Sequence, residues 1–111
     1  MLDRAHRLAL PTDFRRIIRR GTKQTSSLVV AYAAVSDRGL SRFGFITSKA
    51  VGNAPTRNRV RRQLRAIAWE VRDHTSADIV IRALPAAAEA SWDDLHRDVT
   101  RVLAKLRGTS S

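Results

Sequence analysis

Five arginines fall between positions 57 and 65: Arg57, Arg59, Arg61, Arg62 and Arg65. Guanidinium groups this close together suit one task above others, which is bidentate, charge-assisted hydrogen bonding to phosphate oxygens. On a helix, Arg57, Arg61 and Arg65 recur at every fourth position and share a face with Arg72, with Asn58, Arg62 and Trp69 next around and Arg59 further away. Like charges at this density repel and cost helix stability unless an anion offsets them. No other constellation competes. His6, His74 and His96 are scattered without metal-ligand spacing. The pair Asp93-Asp94 stands where a helix start accepts acids. There is no glycine-rich phosphate loop, nucleophile elbow or Ser/His/Asp set. The expected catalytic set and metal set are both empty, and the chemistry on offer is polyanion binding.

The whole chain agrees. Its formal net charge is +11 and its isoelectric point near 11.7, which points to nucleic acid as the partner. The charge is lopsided: 16 of the 21 basic residues but only 4 of the 10 acidic ones lie in residues 1–72. The first two-thirds is expected to bind and the remainder to complete the fold. Arginine outnumbers lysine 18 to 3, for which genomic base composition is as good a cause as phosphate chemistry. The absence of cysteine excludes disulfides and thiolate metal sites. No apolar run approaches about 18 residues, and Met1-Leu2-Asp3-Arg4 does not open a signal peptide. The expectation is a soluble, cytoplasmic protein with no membrane and no small-molecule substrate.

With 111 residues the chain makes a single domain, 1–111, around one modest core. Residues 1–9 lack periodicity and read as an extended arm. Pro11-Thr12-Asp13 opens a short helix, capped by Thr12 or Asp13 and stopped by Gly21, with Phe14, Ile17 and Ile18 as its apolar stripe. Lys23 to Ser27 is a possible edge strand. Leu28 to Val35 is a strand with Tyr32 on one face. A turn at Asp37-Arg38-Gly39 then returns Arg42 to Ser48 as its antiparallel partner. Gly44 within that partner suggests a bulge or a close backbone approach.

Gly52-Asn53 and Pro55 signal a helix start. The buried stripe of that helix is Val60, Leu64, Ile67, Ala68 and Val71. Asp78 to Ala83 reads as the last strand. Ser91 and Asp94 form a capping box for a final helix with a stripe of Trp92, Leu95, Val99, Val102, Leu103 and Leu106, and residues 108–111 read as a frayed tail. The order is that of an α+β sandwich with helices packed on a small sheet.

The run Ser48-Lys49-Ala50-Val51-Gly52-Asn53-Ala54-Pro55-Thr56-Arg57-Asn58-Arg59-Val60-Arg61-Arg62-Gln63-Leu64-Arg65 closely resembles the signature of the bacterial ribonuclease P protein family. The resemblance extends upstream through Arg7-Leu8, Asp13-Phe14, Gly21 and Tyr32, and downstream to Pro85-Ala86 and the closing helix, so it covers nearly the whole chain. It implies an αβββαβα fold (ribosomal protein S5 domain 2-like) with a small mixed sheet and a left-handed βαβ crossover, against the usual hand. It also implies a function: the small subunit of a ribonucleoprotein endonuclease that removes the 5′ leader from precursor tRNA. The RNA subunit, paired 1:1 with the protein, would carry the catalysis and the Mg²⁺ ions.

By the same resemblance, Arg57, Asn58, Arg59, Arg61, Arg62, Arg65, Lys49 and Asn53 would face ribonuclease P RNA. Phe14, Tyr32, Ile18, Arg15 and Ser48 would receive the precursor-tRNA leader. Three positions depart from the family pattern: Ile18 replaces a second aromatic, Ala50 a frequent basic residue, and Ala83 an arginine beside Arg82. Two other readings compete: a structural RNA-binding protein without a catalytic partner, and a DNA-binding helix, which the strand-rich first half disfavours.

Overall fold

The computed structural model describes residues 3–36, 39–74 and 76–109. The Asp37-Arg38 part of the expected turn, Met1-Leu2 of the arm and Ser110-Ser111 of the tail lie outside them. Helix α1 (Pro11–Arg20) leads into strands β1 (Thr22–Thr25), β2 (Val29–Val35) and β3 (Arg42–Ile46). Helix α2 (Ala54–Val71), strand β4 (Ala77–Ala83) and helix α3 (Trp92–Thr109) follow. The order αβββαβα is the expected one, and the polar run after Gly21 does supply the short edge strand.

Strand pairing departs from expectation. The sheet order is β1-β2-β4-β3. Strand β2 pairs antiparallel with both β1 and β4, whereas β3 pairs parallel with β4. The expected antiparallel pairing of Leu28–Val35 with Arg42–Ser48 therefore does not form, because β4 lies between them. The cause is burial. Residues of both faces of β2 and β4 are withdrawn from water, while β1 is polar and β3 is half-buried at Arg42, Phe45 and Ile46. The two doubly buried strands take the centre, and β3 reaches β4 in parallel through the α2 crossover.

One face of the sheet (Val29, Ala31, Phe43, Ile79, Ile81) packs on α2 and α3 through Val60, Leu64, Ile67, Leu95, Val99 and Val102. Burying an aliphatic side chain of this kind stabilises by roughly 1.5–3 kcal/mol, so this layer is the main core. Val71 is only partly buried, and Trp92 is 39% exposed at the start of α3, tilted against His96. The opposite face carries a smaller cluster of Leu8, Ile17, Val30, Tyr32 and Val80, flanked by Phe14, Ile18 and Ile46. Gly44 admits α1 here: a Cβ on it would run into the Phe14 ring. A close approach, not a bulge, is its role.

Three local expectations are corrected. The N-cap of α1 is Leu10, not Thr12 or Asp13, and it makes no side-chain cap bond; Pro11, with its preset φ, starts the helix instead. The arm is held to the sheet. Arg4–His6 form a 3₁₀ turn capped by Asp3, Arg7 bridges to Phe43, and the Leu8 amide donates to the Phe43 carbonyl at 2.8 Å. At the other end, α3 runs through Thr109 into the segment expected to fray.

Helix α1 is bolted to the sheet by Asp78, which is 1% exposed. Arg42, its register partner on β3, donates from Nε at 2.9 Å and Nη2 at 2.8 Å, and Arg16 of α1 donates at 2.7 Å. Burial would push the Asp78 carboxyl up, but the hydrogen bonds and charges of the two arginines outweigh it and hold the group below its usual 3.8. A depressed folded value means that the contribution is present above about pH 4 and is lost as pH falls through the folded value. Asp78→Asn should therefore lower stability by about 3–5 kcal/mol, as for other broken buried pairs. Denaturant unfolding at a series of pH values should show the gap between wild type and variant closing below pH ~4. A gap that stays constant with pH would remove the carboxylate from this role.

Candidate nucleic-acid interface

Helix α2 begins where the sequence places it. Asn53 is the N-cap, its Oδ1 accepting from the Thr56 amide at 3.0 Å, and Gly52 precedes it at φ +151°, a conformation that side chains rarely adopt. The charge distribution along the helix is unusual. Its first turn holds no acid and its last turn no base, while Arg57 stands near the positive end of the helix dipole. Helix α3 follows the favourable pattern, with Asp93 and Asp94 in its first turn and Arg107 in its last. The Ser91 hydroxyl also accepts from the Asp94 amide at 3.1 Å. One helix is arranged for stability; the other carries like charge against its own dipole.

The structure brings Asn58, Arg61, Arg62 and Arg65 together along one groove of about 530 Å³. Arg62 and Arg65 are exposed. Arg61 is braced: its guanidinium donates to the Thr47 hydroxyl at 2.5 Å and to Asn58 Oδ1 at 3.2 Å. Thr47 immediately follows β3, so the brace fixes an α2 arginine against the end of that strand. Arg57 is half-buried, and its Nε is the one buried side-chain polar atom without a partner among the described residues. Arg59 is separated from the set and donates to the Ala88 carbonyl in the 3₁₀ turn Pro85–Ala88. Lys49 is exposed in the loop before the helix, and Asn53 is committed to its cap.

Sequence reasoning missed two members of this site, Arg7 and Thr47. Arg7 of the arm lines the groove across from α2, and Thr47 supplies the brace; Trp69, on α2 itself, lines the same groove. The ring of Trp69 is held by the Arg72 guanidinium, 3.4 Å from its centroid, and by His6, whose ring lies 6.2 Å away at 86°. The helical wheel places Trp69 next to Asn58 and Arg62, and the groove brings it together with them. Nothing in the sequence places Arg7 there.

The expected leader-binding set divides. Phe14, Ile18 and Tyr32 do share the smaller apolar cluster on the α1 face. Tyr32, however, is only 7% exposed, so little of its ring is available for stacking; Phe14 is the more open aromatic. Arg82 lies over Tyr32 at 5.9 Å on this face, whereas Ala83 turns into the main core. Arg15 lines a separate shallow groove with Arg16, Arg19 and Arg20, and Ser48 is exposed at the loop after β3. Ala50 is likewise exposed in that loop. Among the described residues no group of three or more His, Asp or Glu side chains is placed to hold a metal, and no helix is long and apolar enough to cross a membrane.

Arg62→Ala and Arg61→Ala should each weaken binding to structured RNA by about 1.5–3 kcal/mol. Each should also reduce the slope of log K against log salt by about 0.7–0.9 for every phosphate that the protein ceases to neutralise. Arg59→Ala, turned toward Ala88, should leave that slope nearly unchanged. Filter binding across a salt series decides, and equal slopes for all three variants would deny the groove its role in holding phosphate.

Comparisons with known proteins bear out the fold. The Ribonuclease P family profile matches residues 2–107. The ribonuclease P protein component of Kocuria rhizophila is 43% identical over 106 residues, covering 94% of this chain and 94% of its own. That of Corynebacterium diphtheriae is 44% identical over 115 residues, 96% of this chain and 97% of its own. Among solved structures, a Staphylococcus aureus RNase P protein mutant with defective mRNA degradation activity superposes with a TM-score of 0.86 at 26% identity, over 93% of this chain and 89% of that one. The RNase P protein from Thermotoga maritima shares the fold at a TM-score of 0.81 and 22% identity, covering 89% and 96%.

Proposed function

The chain belongs to the ribonuclease P protein family, and from that premise we propose that it binds the catalytic RNA through α2 and the precursor-tRNA leader through the α1 face. The observation that carries the first half is the arginine face of α2. Arg57 opposes the helix dipole, the first turn holds no acid, and the arginines that follow repel one another, so a polyanion is what relieves them. Few amides accompany the arginines, which favours recognition of backbone and shape over sequence. The second half rests on Phe14, seated on Gly44 at the rim of the smaller apolar cluster. Single-stranded RNA can stack on such an aromatic whatever its bases, with Arg82, over the Tyr32 ring in the same cluster, as a phosphate partner.

In this reading the protein contributes no reacting group. Hydrolysis at the mature 5′ end and the Mg²⁺ ions that support it belong to the RNA subunit, joined 1:1 by this chain in the cytoplasm. The protein's residues hold the RNA and the leader on two different faces of one sheet. The sheet thereby fixes the distance between the catalytic RNA and the strand it cuts, a positioning effect that raises rate without new chemistry.

Precursor-tRNA cleavage by a bacterial ribonuclease P RNA at low Mg²⁺ tests the proposal directly. Adding this protein should strongly stimulate cleavage at the mature 5′ end; a folded, RNA-binding protein that gives no stimulation with several such RNAs would point to a structural RNA-binding role. Phe14→Ala should lower affinity for leader-bearing precursor by about 1–3 kcal/mol, the worth of one stacked base, and leave mature tRNA unaffected. Tyr32→Ala should lower thermal stability as well, because its ring is core. Equal losses of both RNAs with Phe14→Ala would move the leader elsewhere.

A further inference from the structure

A helix that only follows a phosphate backbone needs a ridge of cations. Helix α2 has a hollow beside its ridge. The groove of about 530 Å³ between the arm and α2 is within the size range of small-molecule sites, about 300–1,000 Å³. Its composition is divided in a specific way. Arg7 stands on the arm, and Arg61, Arg62 and Arg65 on the helix, while Ala66 and Trp69 supply an apolar surface between them. Phosphate needs the guanidiniums. It has no use for the indole or for an alanine, whereas a nucleobase has use for both.

We propose that this groove holds one unpaired nucleotide of the catalytic RNA, its phosphates on the arginines and its base against Ala66 and Trp69. The inference rests on the reading that α2 binds that RNA, and it adds a defined pocket to a charged surface. Trp69 is ready for the role before RNA arrives. The Arg72 guanidinium against its ring and the near-perpendicular His6 ring fix its orientation, so little side-chain freedom is lost on binding. Asn58, on the groove wall, already accepts from Arg61 through Oδ1, which directs its amide NH₂ group to other acceptors. The arm closes the groove because Leu8 is buried and hydrogen-bonded to Phe43. The backbone at Arg7 is therefore held at the edge of the pocket, from which its exposed side chain reaches the groove.

Ala66→Leu is the decisive variant. Position 66 is exposed on the helix, leucine is a good helix former, and no charge changes, so the groove is filled while the arginines remain available to phosphate. Affinity for a ribonuclease P RNA transcript should fall about tenfold, within the worth of one stacked base, with the salt slope unchanged and affinity for a plain RNA duplex within about twofold of wild type. In a Trp92→Phe background Trp69 is the only tryptophan. The transcript should quench its emission, and Ala66→Leu should abolish the quenching. Unchanged affinity with Ala66→Leu, or an equal loss on the duplex, would overturn the pocket. A loss seen only with a single-stranded leader oligonucleotide would overturn its assignment to the RNA subunit. Arg62→Ala separates the two levels. If it lowers affinity and slope while Ala66→Leu does nothing, the pocket falls and the RNA-binding face stands; if neither variant has an effect, both fall.

Discussion

Asp78 carries a charge on the central strand of the sheet, almost entirely shielded from water, and two guanidinium groups make that possible. Arg42 reaches it from the neighbouring strand and Arg16 from α1. A carboxylate buried without such partners would be strongly unfavourable, and a neutral one would give α1 no polar anchor. The consequence is positional. With α1 bound to the sheet at Arg16, its apolar stripe comes down on the smaller cluster and the Phe14 ring lands on Gly44. The position of Phe14 therefore depends on an ion pair made only two residues further along the same helix.

The two faces of the sheet are built differently. The α2 and α3 side holds the main core, which gives α2 a rigid bed; its buried stripe of Val60, Leu64 and Ile67 allows the opposite side of the helix to carry arginines that weaken it. The α1 side has a smaller cluster with half-buried members at its rim. Apolar surface left partly open beside cations is what single-stranded RNA uses. Stability is concentrated on one face.

The arginines themselves are not equivalent. Arg61 is braced by Thr47 and Asn58, Arg62 and Arg65 stand exposed to meet a ligand, and Arg59 is turned to a backbone carbonyl. A braced guanidinium loses less entropy on binding than an unbraced one, so the groove lined by Arg61 is better organised than charge density alone implies. The arm contributes to this by bringing Arg7 across from α2, and it is held there by the hydrogen bond from Leu8 to β3.

Much of this protein is legible in its sequence because the signals are local. Periodicity marks α2 and α3, Asn53 and Ser91 mark their starts, and the cluster from Arg57 to Arg65 declares a polyanion. Gly44 announces a close approach without naming Phe14 as what approaches. The tertiary structure decided what depends on partners far apart in the chain. It set β4 between β2 and β3, because the strand buried on both faces must take the interior. It joined Arg16 to Asp78 across 62 positions, moved Arg7 to the groove, and withdrew Tyr32 into the core. Pairing between distant segments is chosen by which arrangement buries the most apolar surface and satisfies every buried charge, and that choice belongs to the whole chain, not to any stretch of it.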